Sequence, residues 1–452
     1  MNNEARFSRR NWLVLMLFGL LGQLAWSVEN MYFNLFVFDT VAQNLDAITL
    51  MVQLSGVTAT VVTLVAGVFS DKIGNRRSII SIGYIIWGAT VGMFGFMSPE
   101  ITAALFSVGM DDAIFITLVM VIVGDCVMTL FGSASNDAAF NAWVTDNTRP
   151  AFRGTVEGVL AILPLISMLI VAGGFGILVE IVGYRTLFLS MGIVITLCGI
   201  LGLFIIKDAK ALERSGGMRD IFYGFRPSVI KGNAPLYITL LIVLVYGISC
   251  QIFMPYMIIY MKTYLNFTTI EYSIVFGLAI GVGAIINVFL GRLSDKLDKV
   301  KLMYAAAATM SVGLLAMYLA KGLDHVGNLI AFGVAGFVMI SGYIFVSALS
   351  GSVVRDYTPT DAAGKLQGVR MVFSVLLPML IGPAVGNAIN SAMNIPLENA
   401  GADAMTTEFI PAPEIYLVAS LVMLLSFALI PLLSRARAKS GTDDEVKSEA
   451  ID

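Results

Sequence analysis

The chain has 452 residues, of which 58% are hydrophobic and only 13% charged, with a mean hydropathy of +0.85. Soluble domains carry about 25% charged residues, so this composition excludes an ordinary water-soluble globule. The net charge of −3 decides nothing alone, because in a membrane chain the placement of charge carries the information.

Apolar stretches of about 20 residues, each enough to cross ~30 Å of hydrocarbon as a helix, recur along the whole chain. In order they predict twelve spans: 12–38, 48–69, 79–97, 114–142, 156–179, 185–206, 236–261, 272–290, 302–320, 328–352, 368–390 and 414–434. The first is too long for a signal-peptide core, and no small-residue cleavage site follows it. It reads "GLLGQLAWSVENMYFNLFVF", which puts Gln23, Ser27, Asn30 and Asn34 at i, i+4, i+7 and i+11, one face of an α-helix. Glu29 falls near mid-span, where a carboxylate costs roughly 2.5–3.5 kcal/mol on an insertion scale and must face a cavity or a partner. Trp26 and Tyr32 add aromatic rings beside these polar groups.

Between spans 2 and 3 stands "GVFSDKIGNRR" (67–77), with Gly67, Asp71, Lys72, Gly74, Arg76 and Arg77 set between two uncharged stretches. Span 4 carries Asp125 near its middle, with Thr129, Gly132 and Asn136 on the same face. Asp137 and Asn141 fall nearer its end, and Asp137 is expected to pair with Arg76 or Arg77. Trp143 is expected to anchor the span at the membrane interface. Span 4 is followed by "DNTRPAFRGTVEG" (146–158), which holds Asp146 and Arg153. The polar stretch 207–235 then divides six spans from six. Span 7 offers Tyr246, Gln251 and Tyr256, and span 10 offers Tyr343, as partners for a polar ring. Pro164, Pro255 and Pro378 kink spans 5, 7 and 11 without breaking them, and "GGFG" (173–176) and "GPAVG" (382–386) are candidate flex points.

The halves repeat. "GVFSDK" (67–72) returns as "GRLSDK" (291–296), with Gly291, Asp295 and Lys296, each copy just after the second span of its half. "DNTRPAFRGTVEG" returns as "DYTPTDAAGKLQG" (356–368), with Asp356, Gly364 and Gly368. Parallel six-helix repeats are a transporter architecture with the site near mid-membrane. The expected organisation is a bundle over 1–206, a linker over 207–235, a second bundle over 236–434 and a disordered tail over 435–452. Of the 28 Lys and Arg residues, all but Arg185, Lys262 and Lys321 fall on one side of the expected spans. The positive-inside rule therefore puts both termini in the cytoplasm.

Other classes are thin. Cys126, Cys198 and Cys250 lie in apolar segments and read as core residues. His325 is the only histidine, which removes most metal and His-based catalytic schemes. No P-loop and no H-E-x-x-H occurs, so neither an enzyme nor an ATP-driven pump is expected.

The 67–77 loop resembles the loop 2–3 signature of the major facilitator superfamily, roughly G-x-x-x-D-[RK]-x-G-[RK]-[RK]. Gly67, Asp71, Lys72, Gly74, Arg76 and Arg77 all match, and the second copy departs at Asp298, where a Gly is expected. More narrowly, "AWVTD" and "VVRDYTP" are similar to the glycoside–pentoside–hexuronide cation symporter branch, although span 2 lacks the acidic residues of its melibiose-type members. The resemblance implies an all-α polytopic fold of two pseudo-symmetric six-helix bundles, with spans 1, 4, 7 and 10 lining a central cavity. It implies that Asp71 and Asp295 face the starts of spans 11 and 5 and gate the cytoplasmic side. The expected function is secondary active transport of a small polar solute, a sugar or glycoside, coupled to H+ or Na+. Glu29, Asp125 and the neighbouring polar and aromatic groups would bind solute or ion. The alternative is an exporter of drug-like or lipophilic compounds. No cofactor, no metal site and no nucleic-acid partner is expected; a monomer in the plasma membrane is.

Overall fold

The computed structural model describes residues 7–148, 152–208, 218–294, 297–359, 363–397 and 409–440. Among them the chain is helical, apart from one isolated bridge between Pro396 and Phe409. The long helices are α1 (Arg9–Thr40), α2 (Leu45–Ile73), α3 (Arg76–Phe96), α4 (Met110–Asn147), α5 (153–182) and α6 (184–205). They continue as α7 (Ala234–Thr263), α8 (Thr269–Ser294), α9 (Lys299–Leu319), α10 (His325–Asp356), α11 (363–393) and α12 (414–440).

Eleven helical stretches among the described residues are long and apolar enough to cross a membrane. One of them, Gly158–Ile205, runs for 48 residues, or about 72 Å at the α-helical rise, more than twice the hydrocarbon thickness. Gly183 resolves this. Its φ of 76° and ψ of 161° are not helical, and only a residue without a Cβ adopts them readily. The stretch is therefore two helices, α5 and α6, and the eleven become twelve.

The loop between α2 and α3 shows why its residues are spaced as they are. Gly74 caps α2 in the left-handed region at φ 64°, returning its N–H to Ser70 O. Asn75, at a position where a basic residue is frequent in the resembled signature, caps α3 by accepting from Ser78 N at 3.0 Å. Three short elements were not expected from hydropathy. Pro99–Phe106 forms a helix begun by Ser98 as cap and Pro99 at its first position. Met218–Phe225 and Pro227–Gly232 lie in the linker. Short segments of this kind carry no span-length apolar signal.

The described contacts group into two compact units. One comprises residues 1–218, 254–277 and 394–411; the other comprises 219–253, 278–393 and 412–452. Thus α7 and α8 each contribute to both units. In the first unit α3 and α6 pack most closely: a Cβ on Gly192 would stand 2.6 Å from Gly88 O and Gly92 N. In the second, α9 and α10 approach the same way, with Gly313 against the backbone of Met339 and Gly342 against Met310. Small residues let helix backbones meet where lipid offers no hydrophobic drive. Trp143, expected at the interface, is instead fully buried and donates to Lys207 O at 2.9 Å. That carbonyl lies just past α6 and gives the indole N–H a protein partner in place of a lipid headgroup.

Candidate functional site

Glu29, Ser55, Asp125 and Thr129 meet inside the first unit. Glu29 opens a five-residue π-helical segment of α1, Glu29–Phe33. Such segments recur at functional positions because they re-aim side chains. Ser55 on α2 donates to Glu29 Oε1 at 2.9 Å, and Thr129 on α4 donates to the same oxygen at 3.3 Å. The two hydroxyls are 2.9 Å apart. Asp125 lies one helical turn before Thr129 and is only 1% exposed. Glu29 Oε2 and Asp125 Oδ1 are buried without a hydrogen-bond partner. Residues 11–71 and 78–148 contain no Lys, Arg or His, so no basic side chain of α1, α2 or α4 neutralises the pair at mid-span. A buried charge left so is expensive, so carboxyl groups in this position either hold a proton or take a cation from elsewhere.

A second polar network lies beside the first. Trp26 donates its indole N–H to Asp137 Oδ1 at 3.2 Å, and Asn136 donates to the same oxygen at 3.0 Å. Tyr84 donates to Asn136 Oδ1 at 2.9 Å and lies 2.8 Å from Phe18 O. Trp26 packs 5.2 Å from Trp87 and against Gly132. Asp137 therefore takes its hydrogen bonds from an indole and an amide, not from the expected arginine. Arg76 reaches past it to Asp146 at 3.0 Å and to Ser70, and the backbone N–H of Arg77 donates to Asp208.

The polar face expected on α1 is not a face. Asn34 is 3% exposed while Asn30 is exposed and folds back onto Trp26 O at 2.8 Å; Gln23 is half-buried. The π segment is the cause. It adds a residue to the turn, so positions beyond Glu29 rotate by about 100° from the α-helical phase. A second π segment, Ser133–Phe140, does the same to α4, and Asn136 sits in it, bonded to Tyr84. Of the expected residues, the first unit thus brings Glu29, Asp125 and Thr129 together, and places Trp26 and Asn136 in the adjoining network.

The remaining expected residues are dispersed. Tyr256 belongs to the first unit, fully buried, with its hydroxyl 2.7 Å from Thr49 Oγ1. In the second unit Gln251 packs against Gly382, and Tyr343 lies 5.6 Å from Tyr246, ring to ring. Of the loop residues, Gly67 is half-buried, Lys72 is exposed and Gly368 is buried. Asp356 accepts from Lys299 at 2.7 Å, while Gly291 and Gly364 fall within helical turns of α8 and α11. Asp295 and Lys296, and the side chains of Asp71 and Arg153, lie outside the described residues. Ser55, Tyr84 and Trp87 were missed by sequence reading. A lone Ser in an apolar span carries no periodic signal, and Ser55 is found only by what it touches.

The model of the family described as "Major Facilitator Superfamily" matches residues 12–383. The chain belongs to the Major Facilitator Superfamily. Solved structures of the same fold include a mutant of the nucleoside transporter NupG, at TM-score 0.69 and 13% identity over 93% of this chain and 98% of that one. A bacterial homologue of the human lysosomal transporter Spinster, inward-facing and unoccupied, gives 0.66 and 14% over 96% and 99%. A bacterial homologue of the iron transporter ferroportin, outward-facing with soaked iron, gives 0.60 and 14% over 93% and 98%. No curated protein matches. The superfamily fold accounts for the twelve helices.

Proposed function

We propose that this superfamily member is a secondary active transporter of a small polar solute, a sugar or other glycoside, driven by H+ or Na+. One observation carries the reading: at mid-span Asp125 is buried and Glu29 half-buried, each carboxyl group has a buried oxygen without a partner, and no basic side chain on α1, α2 or α4 balances them. A group that must take up and release positive charge to be stable is what ion coupling needs. The solute class rests on the resemblance of 142–146 and 353–359 to the cation symporter branch and on aromatic rings beside hydrogen-bonding groups, as at Trp26 and Tyr343. The structural neighbours include a nucleoside transporter, and a nucleoside is chemically a glycoside. The orientation follows charge: the basic residues concentrate on the side of both termini, which we assign to the cytoplasm of the plasma membrane.

The test is uptake of labelled sugars and nucleosides into proteoliposomes under an imposed H+ or Na+ gradient, for wild type and Asp125→Asn. Gradient-driven uptake in wild type that collapses in Asp125→Asn is the expected result. Absence of uptake under every gradient, with lipophilic compounds expelled instead, would overturn it in favour of an exporter.

A further inference from the structure

The Glu29–Asp125 pair is not built like a plain proton site. Three helices bring four oxygen-bearing side chains to one place: Glu29 from α1, Ser55 from α2, and Asp125 with Thr129 from α4. Ser55 is the centre of the group, 2.9 Å from Glu29 Oε1 and 2.9 Å from Thr129 Oγ1. Asp125, 1% exposed, keeps Oδ1 without a donor, and Glu29 keeps Oε2 likewise. The side chains that reach the Glu29 carboxyl group are hydroxyls, oxygen against oxygen. A proton needs one oxygen lone pair and would give the two hydroxyls no part. An all-oxygen cluster of two carboxyl groups and two hydroxyls suits a hard cation.

The charge of that cation follows from the ligand count. The four side chains hold six oxygens, and Glu29 Oε1 already accepts from both hydroxyls; that leaves five, fewer than the six to eight that a Ca2+ ion takes, while Mg2+ demands near-ideal octahedral geometry. A single positive charge, with one carboxyl group retaining its proton, leaves the buried site neutral. We propose that Glu29, Ser55, Asp125 and Thr129 form a binding site for one alkali cation of sodium size. This rests on reading the pair as the coupling group, and names the ion it takes.

The experiment is binding of radiolabelled sodium to the purified full-length protein, with choline, potassium, magnesium and calcium chlorides as competitors at fixed pH. One saturable sodium site is expected, displaced by excess unlabelled sodium and not by choline. Asp125→Asn should weaken it by about tenfold or more, as loss of a ligand or its immediate support does. Ser55→Ala should weaken it, and Ser55→Thr, which keeps the hydroxyl, should restore it; size-exclusion profiles of each variant separate lost binding from lost folding. A wild type that binds no sodium, or binds it equally in Asp125→Asn and Ser55→Ala, overturns the site. Displacement by calcium or magnesium at far lower concentration than by sodium also overturns it, in favour of a divalent ion. Proton-driven uptake persisting in a protein that binds no sodium would sink this proposal alone and leave the transport reading standing.

Discussion

Asp137 and Arg76 look like partners in the sequence and are not partners in the structure. Asp137 is satisfied from α1, by Trp26, while Arg76 bridges to Asp146 and Ser70. Trp26→Phe should therefore remove one of the two side-chain donors to Asp137 Oδ1 and cost about 1–3 kcal/mol. The measurement is thermal unfolding in detergent, and an unchanged melting temperature would deny the bond any weight. Arg76→Ala should cost about 1.5–3 kcal/mol, as loss of hydrogen bonds to a charged group does, with Asp146→Asn nearer neutral because Asp146 is partly exposed. Glu29, Asp125 and Asp137 stand out in the sequence because a carboxylate in an apolar run is conspicuous. Sequence reading could not find their partners, because Ser55 and Tyr84 are unremarkable letters whose role depends on which helices become neighbours. It also read Gln23, Asn30 and Asn34 as one face by assuming a constant 3.6-residue period, which the π segment at Glu29–Phe33 interrupts.

Hydropathy located the helices well, because span length and apolar content are fixed by the bilayer. The sequence already divides this stretch into spans 156–179 and 185–206, and Gly183 is the residue at which the backbone breaks into α5 and α6. Its positive φ makes a testable claim: Gly183→Ala should cost about 1–3 kcal/mol through backbone strain, although nothing lies within 4 Å of the added Cβ. The α3–α6 pair is tighter. Gly192→Leu has no room, since even a Cβ there meets backbone at 2.6 Å. We expect that variant to express as aggregate or to melt far below wild type, where a Leu at Gly158, which has open space beside it, should melt as wild type does. Equal melting of the two would refute the packing account.

Across the first unit as a whole, the end opposite the basic loops is fastened by contacts from residues 254–277. Lys262 pairs with Asp39 at 2.6 Å, and Tyr184 donates to the other oxygen of Asp39 at 3.1 Å. Tyr256 meets Thr49, and Gly173 lies against Gly277. Lys262 is 42% exposed, so the ion pair is worth only about 0.2–1 kcal/mol. Lys262→Ala should then raise the reaction rate of a cysteine placed by Ser273→Cys, a buried position beside Gly176, by no more than about fivefold. The background is one in which Cys126, Cys198 and Cys250 are replaced by Ala. A change of a hundredfold would mean that the pair holds the end alone; no change would mean that the buried contacts suffice.

The fastening is mounted on an arm. Residues Met254–Tyr256 form a single 3-10 turn in α7, at the point where the chain passes from one unit to the other. Pro255 has no N–H to return to Gln251, so the helix there is short of a hydrogen bond. From Pro255 to Lys262 the rise is about 10 Å. A bend of about 20°, the size of an ordinary helix kink, would carry the end of that arm sideways by ~3–4 Å. That displacement exceeds the reach of an ammonium–carboxylate pair. A small change of angle at one proline is therefore enough to part a contact two turns away, without unwinding any part of the arm itself.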